Sequence, residues 1–342
     1  MSRILIAGLG SIGRRHLRNL LTLGDNEIFL YRTQRSTLPD DELKGFPVDH
    51  DLQAALRREP QAVIISNPTA VHLEVAIPAA QAGCHLLLEK PVSHSREGLD
   101  QLQAAVQNSG SRVLVGYQFR FHPGLRQLKQ LLEQEAIGRV LSVRAHWGEY
   151  LPAWHPWEDY RQSYSASAEL GGGVILTLSH PLDYLRWLFG EVERLWAFAG
   201  QLNELEMNVE DTAEIGLLFE GGAIGSLHLD YNQRPPAHRL EVIGSRGSLK
   251  WDNSDGAVHL YQASQPPQLD SSALTWSTLP VIQGDRPLAR NDLFLAEMGH
   301  FLEVIRGQAQ PECSLNDGVR ALELALGALQ SAREGRLIDF DH

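Results

Sequence analysis

The segment Gly8-Leu9-Gly10-Ser11-Ile12-Gly13 constrains the fold of this chain more than any other stretch. It directly follows the apolar run Ile4–Ala7, and the apolar spacing over Ser11–Leu23 predicts a helix that begins inside it. Of its three glycines, the first permits a tight turn, the second allows backbone to approach a diphosphate, and the third allows helix and strand to pack closely. The segment therefore predicts a dinucleotide site at a helix N-terminus. Its expected ligands are Gly8, Gly10, Ser11, Ile12 and Gly13.

The first 120 or so residues alternate predicted strands with predicted helices. The strands are apolar on both faces, which indicates a parallel sheet covered by helices on each side. The predicted strands are Ile4–Ala7, Ile28–Tyr31, Ala62–Ser66, His85–Leu88 and Val113–Gly116. The predicted helices are Ser11–Leu23, a helix capped by Asp51 that runs through Arg58, Ala70–Ala82 and Ser95–Gln107.

Beyond Phe121-His122-Pro123 the pattern changes to long runs in which apolar and polar residues alternate. This period of two predicts an antiparallel sheet with one exposed face, and we expect a second subunit to cover that face in a homodimer or homotetramer. We therefore predict a nucleotide-binding domain at residues 1–121 and a substrate-binding and oligomerisation domain at 122–342, whose C-terminal helices are candidates to pack on the first domain. The predicted strands here are Val140–Tyr150, Leu195–Gly200, Thr212–Phe219, Ala223–Tyr231, Leu240–Ile243 and Ser248–Trp251. The predicted helices are Gly124–Glu135, Asp292–Arg306 and Asp317–Arg333, and Gln262–Ser277 is a predicted surface loop.

Composition argues against several classes of protein. A length of 342 residues with 43% hydrophobic residues suits two globular domains, and no apolar run is long enough to span a membrane. The formal charge of −12 argues against general binding to nucleic acid or to anionic membranes. No basic leader precedes the first strand, so we expect a cytoplasmic protein. Cys84 and Cys313 are far apart and are interpreted as buried free thiols, and no metal site is predicted.

The end of the second predicted strand bears on which dinucleotide binds. NAD sites use an acidic residue here to accept hydrogen bonds from the ribose, but this chain has Tyr31-Arg32-Thr33-Gln34-Arg35-Ser36. Guanidinium groups pair well with a 2′-phosphate, so Arg32, Thr33 and Arg35 favour NADP over NAD, unless the two arginines merely form a solvated loop. Further expected cofactor contacts are Ser66, Asn67, Pro68, Glu89, Lys90 and, lining the nicotinamide pocket, His72.

Glu89-Lys90-Pro91 interrupts an apolar strand with a charge pair and then with a residue that cannot extend a sheet ladder. Lys90 is thereby expected at the same sheet edge as the glycine turn. An amine that is partly desolvated and near a nicotinamide cation has a lowered pKa, which suits a general acid or base. The alternative is a surface ion pair between Glu89 and Lys90. A diphosphate site and a proton-handling amine at one sheet edge indicate redox chemistry.

Taken together, four motifs of this chain resemble the glucose–fructose oxidoreductase / inositol dehydrogenase / MocA (Gfo/Idh/MocA) family. They are Gly8–Gly13, Glu89–Pro91, Gly116–Pro123, and Gly171–Gly173 leading to His180 and Asp183. The resemblance covers nearly the whole chain. It implies a doubly wound Rossmann domain followed by an α/β domain with a large, open, mostly antiparallel sheet. It also implies hydride transfer between nicotinamide and a secondary alcohol or ketone of a sugar, nucleotide-sugar or cyclitol, in dimers or tetramers.

In that family the lysine of the Glu-Lys-Pro motif, an aspartate, and a histidine about one helical turn later surround the reacting hydroxyl. Lys90 and His180 match, whereas Leu176 and Thr177 stand in the place of the aspartate, and neither transfers protons near neutral pH. We therefore expect Lys90 and His180 to handle the proton, with Thr177 hydrogen-bonding the substrate. Asp183 is a candidate to orient the imidazole or to bind substrate. A proline follows the histidine and predicts a helix break there.

Aromatic and polar side chains crowd the segment 147–164. Such side chains stack on sugar rings while they hydrogen-bond hydroxyls, although a lid or a subunit interface fits the same composition. The resemblance implies that Arg120, Tyr160 and Arg161 approach the substrate and that Gln118 contacts the cofactor. The expected substrate residues are Tyr117, Arg120, Trp147, Tyr160, Arg161 and Tyr164.

Two other functions remain open because fold does not fix function. One is a different enzyme: a nicotinamide-dependent lyase or glycosidase that oxidises its substrate transiently, or a reductase of imines or tetrapyrroles. The other is a non-catalytic dinucleotide-sensing regulator, which the absent aspartate favours and the retained Lys90 and His180 disfavour. Turnover of a polyol or sugar with net reduction of the dinucleotide would distinguish the expected sugar or cyclitol oxidoreductase from these two alternatives.

Overall fold

The protein is described by a computed structural model, which covers residues 2–24, 26–33, 38–154, 158–262, 275–279 and 288–340. The chain forms two compact units, and each is built from more than one stretch of sequence. The first unit comprises Met1–Gln118, Glu169–Gly172 and Arg290–Leu322. The second unit comprises Phe119–Ala168, Gly173–Ala289 and Glu323–His342.

A parallel sheet organises the first unit. Its six strands within the described residues are ordered β3-β2-β1-β4-β5-β6, so the order reverses between β1 and β4. Both strands at this reversal are completely buried over Ile4–Ala7 and Ala62–Ile65, as expected for strands covered on both faces. Ligands of such sheets bind beyond the carboxyl ends of the strands next to this reversal. The strands are β1 (Ser2–Ala7), β2 (Asn26–Tyr31), β3 (Val48–Asp49), β4 (Ala62–Ile65), β5 (His85–Leu88) and β6 (Val113–Val115).

A larger mixed sheet organises the second unit. Over the described ranges its nine strands follow the order β14-β13-β12-β11-β7-β10-β9-β8-β15. The β7–β10 pair is parallel and the other neighbours are antiparallel. Buried and exposed residues alternate along its strands, which confirms the predicted, mostly antiparallel sheet. The strands are β7 (Val140–Gly148), β8 (Val192–Gly200), β9 (Thr212–Phe219), β10 (Ile224–Asp230), β11 (Ala237–Gly244), β12 (Gly247–Asp252), β13 (Val258–Gln262), β14 (Ser277–Leu279) and β15 (Ile338–Asp339).

The helices follow the predicted pattern with small shifts at their ends. The helix predicted from Ser95 begins at Leu99, directly after Gly98, which adopts a left-handed φ of +80°. The helix capped by Asp51 ends at Leu56, earlier than predicted. The helices are α1 (Ser11–Thr22), α2 (Leu52–Leu56), α3 (His72–Gln81), α4 (Leu99–Ser109), α5 (Pro123–Glu133), α6 (Val174–Thr177), α7 (His180–Phe189), α8 (Arg290–Ile305) and α9 (Leu315–Glu334).

Cys84 and Cys313 are buried free thiols, as predicted. The short strands β3, β13, β14 and β15 were not predicted. The predicted loop Gln262–Ser277 falls largely outside the described residues, but its last residue begins β14. Within the described part of the chain, no helix is both long and apolar enough for a bilayer crossing.

Candidate active site

The glycine turn joins β1 to α1 in the first unit. Gly8 adopts a φ of +91°, and a Cβ there would lie 2.4 Å from the backbone nitrogen of Asn67. A Cβ on Gly13 would lie 1.9 Å from the carbonyl oxygen of Gly8, so only glycine lets α1 pack this closely. By contrast, no described atom lies within 4 Å of a Cβ built on Gly10. No described side chain caps the first turn of α1, so its N–H groups suit a diphosphate. The turn thus fits the predicted dinucleotide.

The residues that follow β4 support this turn. Ser66 Oγ donates to the carbonyl oxygens of Gly8 at 2.9 Å and Ala7 at 3.2 Å. Asn67 Nδ2 donates to the carbonyl oxygen of Val71 at 2.8 Å, and Pro68 begins the short helical turn between them. Ser66 and Asn67 were predicted as cofactor contacts. Their side chains hydrogen-bond the backbone of the glycine turn and of the segment after β4.

The segment after β2 is only partly described. Arg32 pairs through Nη1 with the carboxylate of Asp40, at 2.5 Å. Thr33 is exposed, and Arg35 lies outside the described residues. The guanidinium predicted to favour a 2′-phosphate therefore already has a carboxylate partner, which the sequence pattern does not reveal.

Lys90 follows the end of β5, in the same unit as the glycine turn. Burial lowers the pKa of Lys90 to about 8; the positive charge of Arg290 adds to this shift, while Glu89 opposes it. The carboxylate of Glu89 is buried and lies 2.7 Å from His16 Nε2. An amine with this pKa exchanges protons near neutral pH, as predicted from its sequence position.

His72 was expected to line a nicotinamide pocket, but it is buried between backbone carbonyl groups. Its Nδ1 lies 3.0 Å from the oxygen of Pro91 and its Nε2 lies 2.9 Å from the oxygen of Asn67. Burial lowers the pKa of His72, which favours the neutral ring. The imidazole thus lies between the segment after β4 and the segment after Lys90, and in its neutral form it donates to only one of the two carbonyl oxygens.

Glu297 on α8 is a buried carboxyl group that was not predicted as a site residue. It is fully buried, and neither oxygen has a hydrogen-bond partner among the described residues. Burial raises its pKa well above the ordinary value, and the negative charge of Glu89 adds to the shift. One sequence signal could have identified Glu297: it is the acidic residue within the apolar stripe formed by Phe294, Met298 and Phe301.

His180 begins α7 in the second unit. Helix α6 ends at Thr177 and Pro181 lies in the first turn of α7, which confirms the predicted helix break. The His180 ring is buried against Phe119, at 5.1 Å between centroids, and Trp147, at 5.5 Å. The aromatic contacts fix the orientation of the imidazole.

Asp183, expected to orient His180 or to bind substrate, has a strong partner in Arg120. Its carboxylate accepts hydrogen bonds from Arg120 Nε at 3.0 Å and Nη2 at 2.7 Å. Both side chains are almost fully buried, at 3% and 1% exposure. Because this bidentate pair joins the turn before α5 to α7, both residues have a structural role that their sequence positions did not indicate.

Two aromatic residues expected to contact substrate are buried. Tyr117 is fully buried in the first unit. In the second unit Trp147 stacks on His238, with 4.3 Å between centroids and an interplanar angle of 2°. The alternation along β7 places Trp147 on the buried face with Val143 and Ala145. Gln118, expected beside the cofactor, is also buried, at 6% exposure.

The remaining predicted substrate residues lie in short helical turns of the second unit. Tyr160 and Arg161 belong to the turn 160–162, and Tyr164 begins the next turn. Arg161 pairs with Asp159 at 2.8 Å and Glu206 at 3.2 Å. It is therefore held at the surface by two carboxylates.

Two polar side chains lie at α6: Thr177 is its last residue, and Glu210 contacts its backbone. Thr177 is buried, and its side chain lies near the hydroxyl group of Tyr231. Glu210 accepts a hydrogen bond from the backbone N–H of Ile175 at 3.1 Å, and burial raises its pKa to about 6. A Cβ on Gly173 would lie 2.4 Å from this carboxylate, so the glycine makes room for it. Glu210 was not predicted as a site residue.

Known families match both parts of the chain. Residues 2–117 match a model described as the oxidoreductase family with an NAD-binding Rossmann fold. Residues 125–250 match a model described as the GFO/IDH/MocA C-terminal domain. These matches confirm the resemblance found in the sequence.

Individual relatives cover most of the chain. An uncharacterized oxidoreductase from Synechocystis sp. is 30% identical over 76% of this chain and 74% of its own length. A myo-inositol 2-dehydrogenase from Thermotoga maritima is 27% identical over 99% of this chain and 98% of its own length. The structure of a levoglucosan dehydrogenase in complex with NADH and levoglucosan, 20% identical, superposes with a TM-score of 0.87 over 100% of both chains. This last likeness shows a shared fold.

Proposed function

Because the chain belongs to the Gfo/Idh/MocA oxidoreductase family, we propose that it transfers hydride between a nicotinamide dinucleotide and a secondary alcohol or ketone of a sugar, nucleotide-sugar or cyclitol. One observation carries this proposal. A glycine turn that fits a diphosphate and a lysine whose pKa is lowered to about 8 follow strands of one parallel sheet. The names of the inositol and levoglucosan relatives support a polyhydroxylated ring as substrate.

Gly8, Gly10 and the first turn of α1 would hold the diphosphate of a dinucleotide, which would supply hydride transfer to or from the substrate carbon. Neutral Lys90 accepts the hydroxyl proton during oxidation, and its ammonium form stabilises the developing alkoxide during reduction. His180 is the second proton-handling group, and Thr177 hydrogen-bonds the substrate in place of the family's aspartate.

Activity tests this proposal directly. The protein is incubated with sugars, sugar nucleotides and cyclitols together with NADP+ or NAD+, and absorbance of the reduced nicotinamide is followed. We expect net reduction of the dinucleotide with at least one ring polyol. Product formation without a net absorbance change would favour a lyase or glycosidase with transient oxidation. Dinucleotide binding without turnover of any substrate would favour a sensing regulator.

The preference between dinucleotides forms a second part of the proposal. We propose that NADP binds more tightly than NAD, because Arg32 rather than a carboxylate follows β2. Arg32 must then exchange Asp40 for the 2′-phosphate. Asp40→Asn is expected to strengthen NADP binding and leave NAD binding nearly unchanged, whereas Arg32→Ala should weaken NADP binding alone. Equal affinities in the unmodified protein would contradict this preference.

We also propose a homodimer or homotetramer that functions in the cytoplasm without binding nucleic acid or membranes. The large sheet supports assembly, because Phe198 and Ile224 on its outer face are 64% exposed. Covering such side chains with a second copy removes apolar surface from water. Light scattering of the purified protein should give a mass of two or four chains, and a monomer at micromolar concentration would contradict the proposal.

A further inference from the structure

Three side chains with metal-ligating atoms meet on the outer face of the large sheet, and none of them is used in the proposed reaction. His146 lies on β7, and His228 and Asp230 lie on β10. These strands form the parallel pair of the sheet, and its register places His146 directly beside His228. One potential ligand atom from each residue lies within 4.8 Å of the others.

The distances suit a small cation. Asp230 Oδ2 lies 3.0 Å from His228 Nε2 and 4.0 Å from His146 Nε2. In tetrahedral zinc sites, bonds of roughly 2.0–2.2 Å hold neighbouring ligand atoms about 3.3 Å apart. The two observed separations lie on either side of that value. The His146 and His228 rings stack with 4.7 Å between centroids, so both rings must turn for an ion to lie between the three groups.

Neighbouring groups hold two of the ligands in the orientation that a metal requires. His228 Nδ1 lies 2.6 Å from Glu214 Oε1 on β9, which leaves Nε2 directed at the cluster. Metal-binding histidines commonly donate their second N–H to a carboxylate in this way. Asp230 Oδ1 accepts hydrogen bonds from the backbone N–H groups of Asn232 and Gln233, both at 2.6 Å, and its Oδ2 faces the histidines.

The backbone and the third ligand provide independent support. A Cβ on Gly148 would lie 2.1 Å from Asp230 Oδ2, so a larger residue there would displace the carboxylate. His146 Nε2 is buried and has no hydrogen-bond partner among the described residues. This imidazole nitrogen is shielded from water and lies 4.0 Å from the Asp230 carboxylate, so a cation between them would give both groups a partner.

We propose that His146, His228 and Asp230 bind one divalent transition-metal ion of the zinc class, with water in the fourth position. Two neutral imidazoles and a carboxylate are ligands that zinc prefers. The negative charges of Asp230 and Glu214 together balance the dication. The ion connects β7 to β10 across the outer face of the sheet and so stabilises the second unit.

Zinc titration of full-length, tag-free protein after treatment with a chelator tests this site. Calorimetry at pH 7.5 should show one high-affinity zinc ion per chain. Removing a ligand in His146→Asn should weaken binding at least tenfold, and Glu214→Gln should weaken it about 10- to 100-fold by releasing the His228 ring. The matched control is His259→Asn, because His259 lies on β13 and hydrogen-bonds Thr278 outside the cluster. This variant should bind zinc like the unmodified protein.

Two further readouts keep the proposal testable if a variant folds poorly. Co²⁺ in the site should give the intense visible absorption of tetrahedral coordination, and zinc should raise the melting temperature of the unmodified protein but not of His146→Asn. The side chain of His146 is 37% exposed, so its replacement leaves the core intact. Absence of stoichiometric zinc binding, or equal affinities for His146→Asn and His259→Asn, would overturn the proposal.

Discussion

Lys90 illustrates how one residue acquires a reactive pKa from its position. A lysine in water holds its proton far above neutral pH, whereas burial of Lys90 lowers its pKa to about 8. Arg290 reinforces the shift, and the neighbouring Glu89 limits it. The sequence suggested this chemistry because the Glu-Lys-Pro motif interrupts a buried strand. The contribution of Arg290 came from a distant part of the chain and was not visible in the motif.

The lowered pKa predicts a pH dependence. Oxidation requires the neutral amine, so kcat/KM for a ring polyol should rise with pH and level off above about 8. In Lys90→Met the rise should disappear, kcat should fall roughly 10²- to 10⁴-fold, and dinucleotide affinity should stay within a few-fold. Steady-state kinetics and fluorescence titration measure these quantities. Lys250→Met, which alters a lysine paired with Glu241, is the control and should keep the normal profile. An unchanged profile in Lys90→Met would contradict the role of this amine.

Glu297 predicts a pH-dependent effect on stability. Its pKa is raised in the folded protein, so folding becomes less favourable as pH rises above its unfolded value near 4.5. Glu297→Gln resembles the protonated acid and should raise the free energy of unfolding at pH 8 by at least about 1 kcal/mol. At pH 4 the two proteins should be nearly equal. Urea denaturation at both pH values measures the difference.

A glutamate on the same helix provides the control for this comparison. Glu303 on α8 is 55% exposed and lies near His300, so Glu303→Gln should change stability little at pH 8. A loss of stability in Glu297→Gln at pH 8, or the same gain at pH 4 and pH 8, would be inconsistent with a strained buried carboxylate.

The glycine turn shows that residues of one type serve different purposes within one element. Gly13 permits contact between α1 and the turn, whereas no described atom would meet a Cβ on Gly10. Gly13→Ala should therefore destabilise the protein by about 1–3 kcal/mol or more, as overpacking does. Gly10→Ala should melt at nearly the normal temperature but bind dinucleotide at least tenfold more weakly. Melting curves and binding titrations separate the two effects. Normal dinucleotide affinity in Gly10→Ala would contradict a role of the glycine turn in binding the diphosphate.

At the scale of elements, local sequence signals predicted the positions of helices and strands well. They did not predict which side chains pair with each other. The predicted break lies between α6 and α7, just before His180, and Pro181 falls in the first turn of α7, where its missing N–H group leaves no helical hydrogen bond unmade. Trp147, which was expected to contact the substrate, belongs to the buried face of β7 with Val143 and Ala145. The pairing of Asp183 with Arg120 could not be predicted, because it joins side chains that are distant in sequence.

At the scale of the whole molecule, the sequence predicted two kinds of sheet and named the C-terminal helices as candidates to pack on the first domain, but it did not predict the bounds of the two units. The change of pattern after residue 121 marked the transition from the parallel to the mixed sheet. However, the first unit also includes Arg290–Leu322, and β15 adds an edge strand to the large sheet through Ile338 and Leu195. Such returns of the chain depend on tertiary packing, as does the cluster of His146, His228 and Asp230.

Our central proposal is that Lys90 and His180 are both proton-handling groups in the nicotinamide-dependent oxidation of a ring polyol. A double-mutant cycle on kcat/KM, using Lys90→Ala, His180→Ala and the combined variant, tests it most directly. We predict that each single variant loses roughly 10²- to 10⁴-fold and that the combined loss is far smaller than the product of the two, because groups that act as a unit are not additive. Full activity in Lys90→Ala, or losses that simply multiply, would contradict the account.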